Sequence, residues 1–356
     1  MRSPLAVSLL GILCGLMLSG CATAPAPVLP ATPAIAAPSS PPTSTPTPAG
    51  APVAAAPDFW GDAGCGDLIS DDTLTAMFGA PLPLVDQPPQ AYWPGGAASA
   101  EEGWMYCSWN ADDGETFEWA VWPHRAEEAM TDAISDPTGY YTEHGADFAL
   151  SCNKTDCSGD YAIAGNWVFL RLSVVEPGAA HEALDLAAEA TETTLAGFAW
   201  GPGWTPPADA RTVPGECSGI DSEHRIGKLW GESGVDAETS DSGFDVHSGP
   251  EARRAAGLLR CSWTSADQTT FVSAVIAPGA SWATTSPVAA YGETLEQADI
   301  PEGADSAYWT CRPDGSCTLN VVAGGNWLQV DWSSEGSGRD ETARAAEVLV
   351  SSLPAA

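Results

Sequence analysis

Two short stretches decide the reading of this chain: Cys107-Ser108-Trp109 and, later, Cys261-Ser262-Trp263. Each sits in the same train of landmarks. Upstream, Cys65 is followed by Leu74, Met77, Phe78 and Gly79, and Cys217 by Ile226, Leu229, Trp230 and Gly231, at identical offsets. Apolar residues at i, i+3 and i+4 closed by glycine predict a short amphipathic helix with a C-terminal cap. Asp71 and Asp72 fall in its first turn, where carboxylates favour the positive end of the helix. Downstream of each Cys-Ser-Trp, Phe117 or Phe271 lies in an apolar run. Asn110-Ala111-Asp112-Asp113-Gly114 and Ser265-Ala266-Asp267 read as the hairpin turns between. Then come Cys152/Cys157 and Cys311/Cys317, the latter pair enclosing Pro313-Asp314-Gly315. Gly165-Asn166-Trp167 and Gly325-Asn326-Trp327 predict a second hairpin turn, leading into Val168–Val175 and Leu328–Trp332. Each copy ends in an alanine-rich helix, Ala179–Ala196 or Asp340–Leu353.

Matched spacing at four landmarks is an internal duplication. The expected fold is α+β: two tandem copies of an antiparallel sheet packed against N- and C-terminal helices, with two disulfides each. The expected organisation is a signal peptide over 1–20, a lipidated cysteine and tether over 21–57, a first domain over 58–200, a linker over 201–213 and a second domain over 214–356.

The N-terminus places Arg2 before an apolar run from Leu5 to Leu18 and ends it with Leu18-Ser19-Gly20-Cys21. A basic start, a short apolar core and small residues before the cut describe a secretory signal, too short to span a bilayer comfortably. The last four residues resemble the bacterial lipobox, which implies that the Cys21 thiol receives diacylglycerol and becomes the new N-terminus. The expected location is therefore the extracytoplasmic face of the cell membrane, held by lipid. From Ala22 to Pro57 the chain has eleven prolines, no charge and no aromatic residue, a composition that cannot build a packed core. As polyproline II at about 3.1 Å per residue, this tether reaches ~110 Å.

Thirteen basic against 47 acidic residues give a net charge of -34. Such a surface repels phosphate backbones and anionic headgroups, which excludes nucleic acid as an expected partner and leaves a covalent lipid as the means of membrane contact.

Eight cysteines lie in the two copies, four in each and in corresponding places, as expected of disulfides in an exported protein. Pairing within a copy leaves three connectivities per domain. The favoured one joins Cys65 to Cys107 and Cys152 to Cys157, and likewise Cys217 to Cys261 and Cys311 to Cys317. Its short bridge closes a hairpin and its long one ties the opening helix to the Cys-Ser-Trp strand. Neither C-x-x-C nor neighbouring histidine is present, so no metal and no redox pair are expected.

The pattern of an early Cys, a central Cys-Ser-Trp and a late Trp strand resembles a group of small actinobacterial lipoproteins of unknown function. It is also similar to the extracytoplasmic sensor domain of mycobacterial Ser/Thr kinases. That resemblance implies a two-disulfide α+β framework and no catalytic residue; the tandem duplication departs from the usual single domain.

His124, His144, His181, His224 and His247 share no repeat correspondence, and none sits in H-E-x-x-H or beside a G-x-S-x-G elbow. Acidic pairs such as Glu127-Glu128 are uninformative at this acidity. Asp112, Asp113 and Glu115 lack the EF-hand pattern. No cofactor is expected. Among fifteen tryptophans, Trp109, Trp263, Trp167 and Trp327 belong to the repeat. Trp119 and Trp122, aligned with Ser273 and Ile276, do not, and Trp93, Trp104, Tyr140 and Tyr141 lie in sequence without a counterpart. Unshared rings are candidates to line a groove for cell-wall glycan or an envelope protein. Trp119 and Trp122 are the expected ligand-binding residues, with at most one of the two facing a groove, because residues three apart on a strand point to opposite faces. The expected function is a noncatalytic envelope module for ligand binding, sensing or interaction, not an enzyme; the second reading is an envelope hydrolase with an acidic site.

Overall fold

The computed structural model describes residues 55–86, 90–112, 114–127, 131, 140–208, 210–240, 256–290, 292–334 and 338–354. The expected signal peptide, Cys21, the tether as far as Ala54 and His247 lie outside these.

Strands β1 (Met105–Asn110), β2 (Thr116–Trp122), β3 (Glu143–His144), β4 (Phe148–Cys152), β5 (Asp156–Ile163) and β6 (Asn166–Ser173) form an antiparallel sheet in the order β1-β2-β6-β5-β4-β3. Strands β8 (Leu259–Thr264), β9 (Phe271–Ala277), β10 (Thr294–Gln297), β11 (Ser306–Cys311), β12 (Cys317–Ala323) and β13 (Asn326–Ser333) repeat that order as β10-β11-β12-β13-β9-β8, with β7 (Glu238–Thr239) added beside β8. The duplication is thus a duplication of topology, and the fold is α+β. At the place β7 occupies, the first copy makes a single bridge, Leu84 to Trp109. The segment 49–356 forms one compact unit.

The helices follow from local chemistry. Helix α1 (Cys65–Leu68) opens the first copy. In α2 (Asp71–Phe78), Ser70 caps the start by accepting from the Thr73 amide, and Gly79 ends it with φ 78°. Leu74 and Met77 are buried beneath. Between α2 and β1 the chain makes a further helix, α3 (Pro94–Glu101). The closing helix α4 (Ala180–Ala196) buries Ala180, Ala183, Leu184, Ala187, Thr191 and Leu195, one stripe at helical spacing. In the second copy the opening helix shortens to α5 (Arg225–Lys228). Gly227 stands where the first copy has Thr75, weakening the helix, and the turn continues through i to i+3 bonds such as Trp230 to Gly227. The Asp221 carboxylate accepts from the Arg225 and Ile226 amides at its start. Helix α6 (Arg339–Ser352) closes the second copy, burying Thr342, Ala345, Ala346, Leu349 and Val350.

All four bridges take the favoured pairing: Cys65–Cys107, Cys152–Cys157, Cys217–Cys261 and Cys311–Cys317. Cys152 faces Cys157, and Cys311 faces Cys317, directly across a hairpin, with Cα separations of 4.2 and 4.0 Å.

One expectation needs correction. Phe117 pairs with Trp109 and Leu172, and the residue holding that position in the second sheet is Val272, paired with Trp263 and Trp332. The turn after the second Cys-Ser-Trp strand is one residue longer, so Phe271 slips to the strand's start and is 41% exposed, whereas Phe117 is buried. The counterparts of Trp119 and Trp122 are therefore Ala274 and Ala277, not Ser273 and Ile276. The segment 201–213 is hydrogen-bonded to both copies. The Gly201 amide donates to Phe59 O and the Arg211 amide to Gly324 O, while the Arg211 guanidinium reaches Gly303 O and Val350 O.

Candidate functional site

Trp119 and Trp122 point to opposite faces as their spacing requires, yet both are buried, at 0% and 1% exposure. Trp119 lies on the inner face, its indole N–H donating to Thr191 Oγ1 at 3.1 Å and its ring edge-on to Trp60. Trp122 lies on the outer face, 5.1 Å from the Trp167 ring and 5.6 Å from Trp104. Neither of these candidate ligand-binding residues faces a groove: the alternation of a strand fixes which side a ring takes, but here both sides are covered.

The repeated Gly-Asn-Trp motif is a fastener. Asn166 Oδ1 accepts from the His124 amide and Asn326 Oδ1 from the Gly279 amide, both at backbone positions with positive φ. Trp167 then donates to Asp160 and Trp327 to Asn320, across neighbouring strands. The histidines are equally dispersed in space. His124 rests edge-on against Trp200, His224 contacts Val235 O and Asp236, and His144 and His181 are exposed. Among the described residues, no group of three His, Cys, Asp or Glu side chains is placed to hold a metal, and no helix is long and apolar enough to cross a membrane.

What the first sheet does offer is a cavity of about 400 Å³ on its outer face, at the end closed by Cys152–Cys157. Tyr140, Ser151, Asn153, Asp156, Ser158 and Arg171 line it. Register places Ser151 opposite Ser158 and Ser158 opposite Arg171, so three strands present one row of polar groups. Tyr140 is 48% exposed, its hydroxyl 2.6 Å from Ser158 Oγ and its ring edge-on to Tyr141. Arg171 stands beside Glu118, at 3.9 Å, with its side chain 45% exposed. Hydrogen bonds from Ser173, then from Thr155, hold the Asp156 carboxyl below the usual carboxylate range, so it stays ionised near neutral pH.

The second sheet is chemically different at the same place. Asp331 replaces Arg171, and Thr318, in the place of Ser158, donates to its carboxylate; burial pushes the Asp331 carboxyl up despite that bond. Tyr140 belongs to the class of unshared aromatic residues that the sequence marks. Arg171 carried no signal in the sequence, because its place in the row depends on the pairing of β4, β5 and β6.

A second polar feature lies where the copies meet. Helix α3 packs against β9, β13 and the turn of 3-10 helix at Ala280–Thr284. Ala97 and Ala98 share a buried cluster with Ala277, Ala280 and Trp327. Its last residue, Glu101, is 3% exposed, with Oε1 accepting from the Trp282 indole N–H at 2.9 Å. Burial, opposed by that hydrogen bond and reinforced by the neighbouring Glu102 charge, pushes the Glu101 carboxyl up to about 8.

Compared with protein-family profiles, with curated proteins and with solved structures, the chain matches none. The site must therefore be read from its own chemistry.

Proposed function

We propose that this chain is a noncatalytic envelope lipoprotein, anchored to the outer face of the cell membrane through Cys21, whose first copy seats a ligand in the cavity beside Cys152–Cys157. The observation that carries the reading is the row formed by Tyr140, Ser158 and Arg171. A half-exposed ring, hydroxyls, an amide, one guanidinium and the ionised Asp156 carboxylate suit a hydroxyl-rich molecule, and the volume falls within the roughly 300–1,000 Å³ range of small-molecule pockets. In an exported, tethered protein, cell-wall glycan fragments have that chemistry. The second copy, with a carboxylate in place of the guanidinium, serves in this reading as a partner that holds the first in position.

Titration of the full mature chain in detergent against peptidoglycan fragments and wall polysaccharide tests this. Arg171→Gln and Tyr140→Ala should each weaken binding by about tenfold or more, since one charged hydrogen bond or one buried ring face is worth over ~1 kcal/mol. Both side chains are half exposed, so unfolding temperatures should change little. Binding that survives both substitutions, or no binding by the unaltered protein, overturns the assignment.

A further inference from the structure

We propose that Glu101 makes the docking of the two copies proton-dependent: as a neutral acid it is a member of the interface, and as a carboxylate it loosens α3 from the second sheet.

The geometry begins with shape. On its outer face the first sheet presents Trp122, which packs with its own Trp104 and Trp167. The second sheet presents Ala277 at the corresponding strand position, and the vacated space is taken by the small residues of α3. Pro94, Gly95, Gly96, Ala97, Ala98 and Ser99 are all buried, and Ala97 and Ala98 share a cluster with Ala277. Gly95 has no room for a side chain, because a Cβ would lie 2.2 Å from the Trp93 ring. An inserted helix of one copy thus forms a layer of the other.

Into this apolar seam the sequence places a carboxyl. Glu101 Oε1 has the Trp282 indole as donor, whereas its buried Oε2 has no hydrogen-bond partner among the described residues. It ends α3, where the exposed carbonyls of a helix carry partial negative charge and disfavour an added anion. The groups around it give an ion no better reception. On its own element, Glu102 is the neighbouring charge, and Arg125, from the turn after β2, is paired to Glu102. From β9, β13 and the 3-10 turn, α3 meets Ala277, Trp327 and Ala280 through Ala97 and Ala98, and Glu101 itself meets Trp282. No cation among these answers a charge at Glu101.

The sign follows from proton linkage. The docked carboxyl holds its proton up to about pH 8, against an ordinary value of 4.5 once exposed. Docking is therefore strongest below about pH 4.5 and weakens continuously until about pH 8, where the docked form also ionises. Across that window a single-proton link changes the opening equilibrium by about tenfold per pH unit.

Amide hydrogen exchange of the full mature chain in detergent, corrected for base catalysis of exchange, reads this opening directly. Between pH 5.5 and 7.5 protection over residues 94–101 and 280–284 should fall by about 100-fold, while protection in β5 and β6 stays constant. Glu101→Gln, uncharged throughout, should flatten the profile. Trp282→Phe removes the donor that favours the ionised form, so its profile should extend to higher pH; it keeps the question open to test should the glutamine variant fail to fold. An equally steep profile in Glu101→Gln, no pH dependence in the unaltered chain, or loss of protection in step with β5 and β6 would each overturn the proposal.

Discussion

At the scale of single residues, the tryptophans separate chemistry that is shared from packing that is not. Trp109 and Trp263 fill equivalent core positions and are buried alike. Trp119 is different, because Ala274 holds the equivalent position in the second copy. A ring there is needed only because the first copy brings Trp60, Phe198 and Trp200 together over it, with centroids 4.7 to 6.0 Å apart. Trp119→Ala should therefore empty a cavity that the backbone cannot collapse into. A loss of about 3–5 kcal/mol is expected, raised further by the severed bond to Thr191. Urea unfolding of the mature chain under oxidising conditions checks it. A change below about 1 kcal/mol would mean that the aromatic cluster relaxes into the space. That both rings are covered was not legible in the sequence. Alternation assigns Trp119 and Trp122 to opposite faces, but which chain segments lie over each face is set by contacts far away in sequence, such as Trp119 to Thr191.

Among the elements, the two kinds of bridge have different tasks. Cys65–Cys107 and Cys217–Cys261 span 42 and 44 residues and staple the opening helical turn to the Cys-Ser-Trp strand. Cys152–Cys157 and Cys311–Cys317 span 5 and 6 residues and close a hairpin already held by strand pairing. Loop-closure entropy makes the long bridge worth about 4 kcal/mol and the short one about 2 kcal/mol. Replacing Cys65 and Cys107 together by alanine should lower stability by about twice as much as the same change at Cys152 and Cys157. Denaturant titration of the two double variants measures the ratio, and equal losses would contradict it. The elements also show where reading by spacing holds and where it slips. The caps at Ser70 and Gly79 and the turn glycines at Gly165 and Gly325 are local in origin, and the helices and hairpins they delimit stand close to their expected bounds. The position of Phe271 is not local. One added residue in a turn moved it a step along the strand, and a step of one reverses the face.

Over the whole molecule, the proposed anchor, tether and paired copies form one device: a lipid at Cys21, a proline-rich reach and a stapled head carrying the cavity. Cys21→Ser should abolish acylation and release the protein from membranes into the medium, with its fold intact, because Cys21 lies outside the stapled segment. Detergent phase partitioning and intact mass of the released chain check this. Unchanged partitioning into detergent would refute the lipid anchor. The mode by which the copies join changes what two domains in tandem means here. The linker 201–213 is fastened to the second copy through Arg211, and α3, which lies within the first copy's sequence, packs on the second copy's sheet.

The sequence by itself determined the duplication, the strand and turn order, the glycine that closes α2 and the grouping of cysteines, since each depends on spacing between near neighbours or on one copy matching the other. Only the tertiary structure decided that α3 is a layer of the other copy, that Glu101 is sealed against Trp282, and that Tyr140, Ser158 and Arg171 share one row. These depend on which surfaces meet, and a small helix such as Pro94-Gly95-Gly96-Ala97-Ala98 bears no mark of its partner until the alanine at position 277 leaves room for it.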